Sequence, residues 1–341
     1  MRAARLHQYG QAPVVEQVAE PEVTAPLDVV VGIGGAGLCR TDLHIVEGQW
    51  QEKSGVTLPY TLGHENAGWV REVGAAVTNV EPGDAVIVHP FITCGFCRAC
   101  RAGDDMHCAT GLFPGIDTDG GFADLLKTNA RAVAKLPPGL EPQDVAAHAG
   151  AGLTAYHAVK KAAHILYPGT TAVVIGAGGL GHIGIQTLKA ITAAVVIVVD
   201  RSEEALELAR ESGADDTVLA DGDQVEAVRE RTDGLGAEAV LDFVGEGGAL
   251  EDSVAMLRDG GTHYVIGYGE VLSVPAIDVI SAEINFVGNL VGTYNELTEL
   301  VVLAEQGKVD LHTSIYPLDA MPDALDDLEH GRLQGRGVLV P

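Results

Sequence analysis

Residues 173–181 read Val173-Val174-Ile175-Gly176-Ala177-Gly178-Gly179-Leu180-Gly181. The β-branched run predicts a buried strand, and the glycines predict a tight turn opening a helix that continues to about Ala190. Glycines at 176, 178 and 181 let a backbone approach a pyrophosphate, whose charge the helix N-terminus attracts. Such a glycine pattern is weak evidence alone. Here Asp200 closes a second strand, residues 195–199, 19 residues after Gly181. A carboxylate there accepts from the adenosine ribose hydroxyls and repels a 2′-phosphate, which favours NAD(H) over NADP(H). Arg201 beside it argues the other way, and a helix-preceding cap is the plain alternative for Asp200.

The same alternation extends outward. Ser202 caps the next helix, with Glu203 and Glu204 in its first turn and Gly213 past its end. Residues 240–243, 264–266 and 286–288 read as further strands. From about Asp144 the pattern predicts a parallel sheet wound on both faces. Upstream, residues 29–33, 68–73 and 84–88 are short β segments punctuated by Gly and Pro, which predicts a barrel or sandwich-like domain. The tail from about Thr293 predicts two helices and a closing strand at residues 335–340. Two domains are expected, one over residues 1–149 and 293–341, the other over residues 150–292.

Composition narrows the function classes. The chain has 341 residues, enough for two domains with buried cores. It has no long apolar run and no apolar signal core at its start, which predicts a soluble, cytoplasmic protein. Forty-eight acidic residues against 21 Lys and Arg give a net charge of −27, a field that repels nucleic acid and anionic membrane. Seven lysines stand against fourteen arginines. An acidic, lysine-poor surface predicts adaptation to strong salt; an ordinary acidic enzyme is the alternative.

Four of the five cysteines lie at Cys94, Cys97, Cys100 and Cys108. That spacing can close a four-thiolate structural zinc site. Disulfides and an iron–sulfur cluster are the competing readings. Four thiolates leave no open position, so such a metal braces a loop and does no chemistry.

The fifth cysteine sits in Cys39-Arg40-Thr41-Asp42-Leu43-His44, after an apolar, glycine-broken run that reads as a strand ending in a bend. Gly63-His64-Glu65 follows some twenty residues on. Cys39 and His64 suit a catalytic zinc, with Glu65 as a third ligand, directly bound or one step out. Asp42 is placed to orient the His64 ring. Zinc would acidify an alcohol, and the alkoxide would pass hydride to a nicotinamide. Thr41 and His44 offer the proton a short path to solvent. Cys39 also reads as a small buried hydrophobe, and His44 as a surface histidine.

These three constellations, in this order, resemble the zinc-dependent medium-chain alcohol dehydrogenases over nearly the whole chain. The two histidine-bearing segments and the four-cysteine lobe are specific to that family; the glycine fingerprint is widely shared. The resemblance implies an α/β fold: a chaperonin-10-type (GroES-like) β-barrel completed by the tail, plus a Rossmann doubly wound parallel sheet, with the active site in the cleft between domains. It implies that Arg40 and Arg336 contact the cofactor pyrophosphate together with Gly176, Gly178, Gly179, Leu180 and Gly181. It implies that Phe243, Val244, Gly245, Ile266, Gly267, Leu290 and Val291, in loops ending at Gly245, Gly267 and Gly292, pass along the nicotinamide. Trp50 and Phe91 fall where the family lines its alcohol pocket, though each also reads as an ordinary core aromatic.

One departure stands out. Where the family places a further zinc ligand, this chain has Gly150. Glu65 plus water completes the shell on one reading, as in polyol-oxidising relatives. His148 reaches in on a second, and on a third the catalytic zinc is weakly held or absent. The expectation is an NAD-linked zinc alcohol dehydrogenase acting on primary or secondary alcohols, as a homo-oligomer (dimer or tetramer) whose residues 271–287 form an intersubunit sheet edge. A polyol dehydrogenase, a catalytically retired nucleotide-binding relative and a zinc-free structural protein are the alternatives.

Overall fold

The computed structural model describes residues 1–341. Two compact units divide the chain. The first comprises Met1–Leu153, Gly292–Gln306 and Leu311–Pro341; the second comprises Thr154–Val291 and Gly307–Asp310. Residues 307–310, assigned to the first domain from sequence, fall in the second unit, and residues 150–153 and 292, assigned to the second domain, fall in the first.

The first unit is built on the strand Asp28–Leu38, of whose eleven residues only Gly32 is not buried. It pairs antiparallel with Glu65–Val73, with Leu125–Asn129 and with the closing strand Arg336–Val340. Further strands at Ala85–Val88, Val133–Lys135 and Thr313–Pro317 complete a seven-stranded sheet. A three-stranded sheet of Val14–Gln17, Arg2–Leu6 and Tyr60–Thr61 accompanies it. The core gathers Leu6, Val29, Val31, Leu38, Leu62, Phe122, Leu126, Met321 and Leu339. Each large apolar side chain buried there contributes about 1.5–3 kcal/mol. The tail forms two α-helices as expected, Tyr294–Glu305 and Met321–Glu329.

The second unit is a six-stranded sheet, parallel throughout. Its spatial order is Asp216–Leu219, Val195–Asp200, Thr171–Ile175, Ala237–Asp242, Leu257–Val265 and Asn285–Gly288. Numbered along the chain this is 3-2-1-4-5-6, the dinucleotide-binding order. Residues alternate between two cores, as a doubly covered sheet requires: Val174, Val196, Val198 and Leu241 meet one, Val173, Ile197, Val199 and Val240 the other. Ser202 caps the helix Glu203–Glu211 by accepting from the Ala205 N–H at 3.3 Å. The strand Asp216–Leu219 was not expected, because only Val218 in it is buried and no apolar run announces it. Residues 271–287 differ from the continuous edge expected: the helix Ala276–Ala282 occupies their middle, and only Asn285–Gly288 is strand.

Candidate metal centre and cofactor site

At the end of the strand Asp28–Leu38 the chain turns at Cys39 into the helix Arg40–Val46. Asp42 makes the turn possible: its Oδ2 accepts the Cys39 N–H at 2.8 Å, satisfying a donor the helix leaves open. The same fully buried carboxylate faces His64, Oδ1 to Nδ1, at 3.4 Å, a long contact, and Cys39 also neighbours the ring. Burial lowers the His64 pKa, but Asp42 and Cys39 outweigh it and hold the ring well above the usual histidine value.

Sulfur of Cys39, a nitrogen of His64 and an oxygen of Glu65 lie within 4.8 Å of one another. This donor set suits zinc. Burial raises the Cys39 thiol, yet Arg336 and His64 draw it below its ordinary range, toward the thiolate a metal requires.

Glu65 is the centre of the arrangement. Its carboxylate accepts the Ala151 N–H at 2.9 Å and receives both Nε and Nη2 of Arg336, Nε at 3.1 Å. Both partners of this ion pair are buried. Burial disfavours the Arg336 cation, and Glu65 and Cys39 more than restore it. Two glycines make the room. A Cβ on Gly37, the register partner of Glu65, would lie 2.9 Å from the Glu65 Cβ. A Cβ on Gly150 would lie 2.5 Å from its Cγ and 2.8 Å from its Cδ. The space of the absent ligand side chain is filled by Glu65. Sequence reading placed Arg336 on a pyrophosphate; its guanidinium is instead engaged by Glu65, 271 positions away, a pairing no local spacing announces.

His148 belongs to a 3₁₀ turn, Ala146–Ala149, and packs over Gly152. His44 is buried on the helix Arg40–Val46, which overturns the surface-histidine reading. Phe91 is buried and packs against Phe113, 4.3 Å between centroids with the rings tilted by 47°, and Phe113 meets the His64 ring edge-on at 5.7 Å. Phe113 was missed by sequence reading because its loop carries no motif. Trp50 precedes the short helix Gln51–Ser54 and packs on the first unit's core, with Lys53 over its ring at 5.6 Å.

The four-cysteine lobe assembles as its spacing implied. All five cysteines are free thiols, which removes the disulfide reading. The sulfurs of Cys94, Cys97, Cys100 and Cys108 lie within 4.8 Å of one another, with Cys94–Cys100 at 3.9 Å and Cys97–Cys100 at 3.5 Å. Tetrahedral zinc with bonds of about 2.3 Å sets its sulfurs about 3.8 Å apart, so the cluster fits that ion. Backbone N–H groups of Phe96 and Cys97, each 3.4 Å from the Cys94 sulfur, favour its thiolate.

In the second unit, Gly176 adopts φ +87° and Gly181 lies so close to it that a Cβ would meet the Gly176 carbonyl carbon at 2.7 Å. A Cβ on Gly178 would meet nothing, which marks the open mouth of the loop. Asp200 braces this loop: Oδ2 accepts the Ala177 N–H at 2.7 Å and Oδ1 the Ser202 N–H at 2.9 Å. Beside it opens a cavity of about 400 Å³ lined by Asp200, Arg201, Gln224, Val244, Asp252 and Met256 among others. Arg201 donates to the Gly247 carbonyl. Leu290 is exposed and Val291 has φ +47°, a strained value for a β-branched residue. Phe243, Val244, Gly245, Ile266 and Gly267 follow the C-terminal ends of their strands, where ligands of such sheets bind.

Comparisons with known proteins agree with this geometry. Residues 25–138 match the alcohol dehydrogenase GroES-like domain, and residues 179–306 match the zinc-binding dehydrogenase family. The crystal structure of the alcohol dehydrogenase from the hyperthermophilic archaeon Aeropyrum pernix superposes with a TM-score of 0.98 at 48% identity, covering all of both chains. An NAD-dependent alcohol dehydrogenase of Sulfurisphaera tokodaii is 37% identical over the whole of both chains. A D-arabinose 1-dehydrogenase (NADP(+)) of Saccharolobus solfataricus is 35% identical, covering 100% of this chain and 97% of its own. A GroES-like domain joined to a Rossmann sheet defines the class as a zinc-binding dehydrogenase. Within that class, this chain belongs to the zinc-dependent medium-chain alcohol dehydrogenase family.

Proposed function

We infer that the protein is an NAD-dependent alcohol dehydrogenase that oxidises primary or secondary alcohols reversibly to aldehydes or ketones. One observation carries the reading: Cys39, His64 and Glu65 converge within 4.8 Å in a chain that also holds the glycine loop and Asp200. Cys39, His64 and Glu65 would hold a zinc ion, which would supply the Lewis acidity that lowers an alcohol's pKa, and a bound nicotinamide would supply the hydride acceptor. Asp42 holds the His64 ring, and Arg336 holds the Glu65 carboxylate. Thr41 and His44, on the helix behind Cys39, take the alcohol proton outward. Phe91, Phe113 and Trp50 shape the apolar side of the alcohol pocket. The backbone of residues 176–181 takes the pyrophosphate, and Asp200 takes the adenosine ribose and discriminates against a 2′-phosphate. The first unit is the catalytic domain and the second binds the dinucleotide.

A second reading, a polyol dehydrogenase, is favoured by Gly150, because with no side chain there the Glu65 carboxylate occupies that space beside Cys39 and His64 and offers the third donor. No helix is long and apolar enough to cross a membrane; with the charge of −27, this supports a cytoplasmic enzyme adapted to strong salt. Exposed Val271, Ile277 and Ile280, beside the edge strand Asn285–Gly288, support self-association through the second unit.

The deciding experiment measures NADH formation with short, branched, aromatic and polyhydroxy alcohols, alongside elemental analysis. Turnover of simple alcohols with NAD and two zinc ions per chain is the expected result, falling to one zinc in Cys97→Ser. Preference for polyhydroxy alcohols would replace the first reading with the second. One zinc and no turnover would identify a retired relative.

A further inference from the structure

Asp242 ends the strand Ala237–Asp242 and is fully buried, yet no step above uses it. Its Oδ1 accepts two backbone donors from the loop it begins, Val244 N–H at 2.8 Å and Gly245 N–H at 2.9 Å. Its main-chain oxygen accepts two more from the neighbouring loop, Ile266 N–H at 3.1 Å and Gly267 N–H at 2.8 Å. One residue therefore fixes four amides in two loops. The loops lie back to back: a Cβ on Gly245 would meet the Tyr268 nitrogen at 2.5 Å, and one on Gly267 would meet the Val244 nitrogen at 2.6 Å. Val244 in turn closes on the glycine loop, where a Cβ on Gly176 would lie 2.6 Å from its Cγ2.

The remaining oxygen, Oδ2, has no hydrogen-bond partner and faces Nε2 of His263 at 3.8 Å. His263 is also fully buried, on the adjacent strand Leu257–Val265, with both ring nitrogens unpartnered and Phe286 edge-on at 5.9 Å. Burying a carboxylate and an imidazole without satisfying every atom opposes folding, so the acceptor role of Asp242 has to outweigh that cost. A carboxylate can accept two loop amides through one oxygen; an apolar residue cannot.

We propose that Asp242 is a positioning residue that sets the two loops bordering the nicotinamide half of the cofactor. This rests on the dehydrogenase reading above. Loss of the acceptor frees the Val244 and Gly245 amides and loosens the surface the nicotinamide ring meets. The glycine loop and Asp200, which take the pyrophosphate and the adenosine ribose, keep their own bonds.

The test compares binding of NADH with that of ADP-ribose, which lacks the nicotinamide, in the full-length zinc-loaded protein. Wild type is expected to bind NADH more tightly than ADP-ribose. Asp242→Ala is expected to weaken NADH about tenfold while leaving ADP-ribose within about twofold. Asp242→Asn, which keeps an acceptor oxygen, is expected to restore most of the NADH affinity. If Asp242→Ala does not fold, Asp242→Ser is expected to show a smaller loss of the same selectivity, since a serine hydroxyl makes the same turn more weakly. Equal loss of both ligands, or loss of neither, overturns the proposal. A wild type that binds ADP-ribose as tightly as NADH overturns instead the reading that these loops border a nicotinamide.

Discussion

Glu65 is confined by Gly37 and Gly150 and held by Ala151 and Arg336, so its carboxylate has one place to be. Glu65→Ala leaves Cys39 and His64 as the remaining donors, and elemental analysis after dialysis should find one zinc per chain where wild type has two. Gly150→Asp alone overpacks a filled space and should cost about 1–3 kcal/mol in thermal unfolding. The double variant Gly150→Asp/Glu65→Ala relieves the clash and should regain the second zinc; a double variant as metal-poor as Glu65→Ala would show that the space at 150 does not lead to the metal. A different buried residue governs acid stability. His89 gives its Nε2–H to the Gly292 carbonyl at 3.0 Å and takes the Phe91 N–H on Nδ1 at 3.4 Å, so the neutral ring satisfies both ends. Burial, more than its neighbours can offset, holds its pKa below the usual value. A depressed folded-state pKa means the unfolded chain binds the proton more readily; the stabilisation is full above about pH 6.5 and is lost as pH falls through the folded-state value. Melting temperature followed from pH 7 to pH 5 should therefore fall less steeply in His89→Asn than in wild type.

Elements differ in how openly the sequence declares them. The strand Thr171–Ile175, its glycine turn and Asp200 were legible because each signal is local: an apolar run, glycines at fixed offsets, a carboxylate closing the next strand. The cysteine lobe was legible for the same reason. Arg336 on Glu65, and His89 on Gly292 across 203 positions, were not, because tertiary pairing leaves no periodicity. The helix Ala276–Ala282 was read as part of a strand edge because none of its residues is buried in the chain, so no one-sided apolar stripe marks it as helical. Ile277 and Ile280, three apart on that helix, are 68% and 71% exposed, an arrangement a monomer in water does not favour. If the proposed self-association runs through this helix, Ile280→Asp should lower the sedimentation coefficient to that of a monomer while leaving zinc content unchanged; an unchanged coefficient would remove that proposal.

Across the whole molecule the excess of carboxylates sets the response to salt. Repulsion among them reaches about 10 Å at 0.1 M ionic strength and about 3 Å at 1 M. Melting temperature should rise between dilute buffer and molar KCl, and a flat or falling profile would remove the salt-adapted reading. The threading of the chain has its own consequence, for the order in which the molecule forms. The first unit is discontinuous, and its central strand Asp28–Leu38 waits for Arg336–Val340, which follows the second unit's main segment in the chain. Residues 154–291 are contiguous and can collapse early. Doing so shortens the slack the final pairing must gather, a gain of about 0.6 kcal/mol for each halving of the free loop. Refolding should thus regain dinucleotide affinity before it regains the second metal, with a window in which the nucleotide half is made and the catalytic half is not.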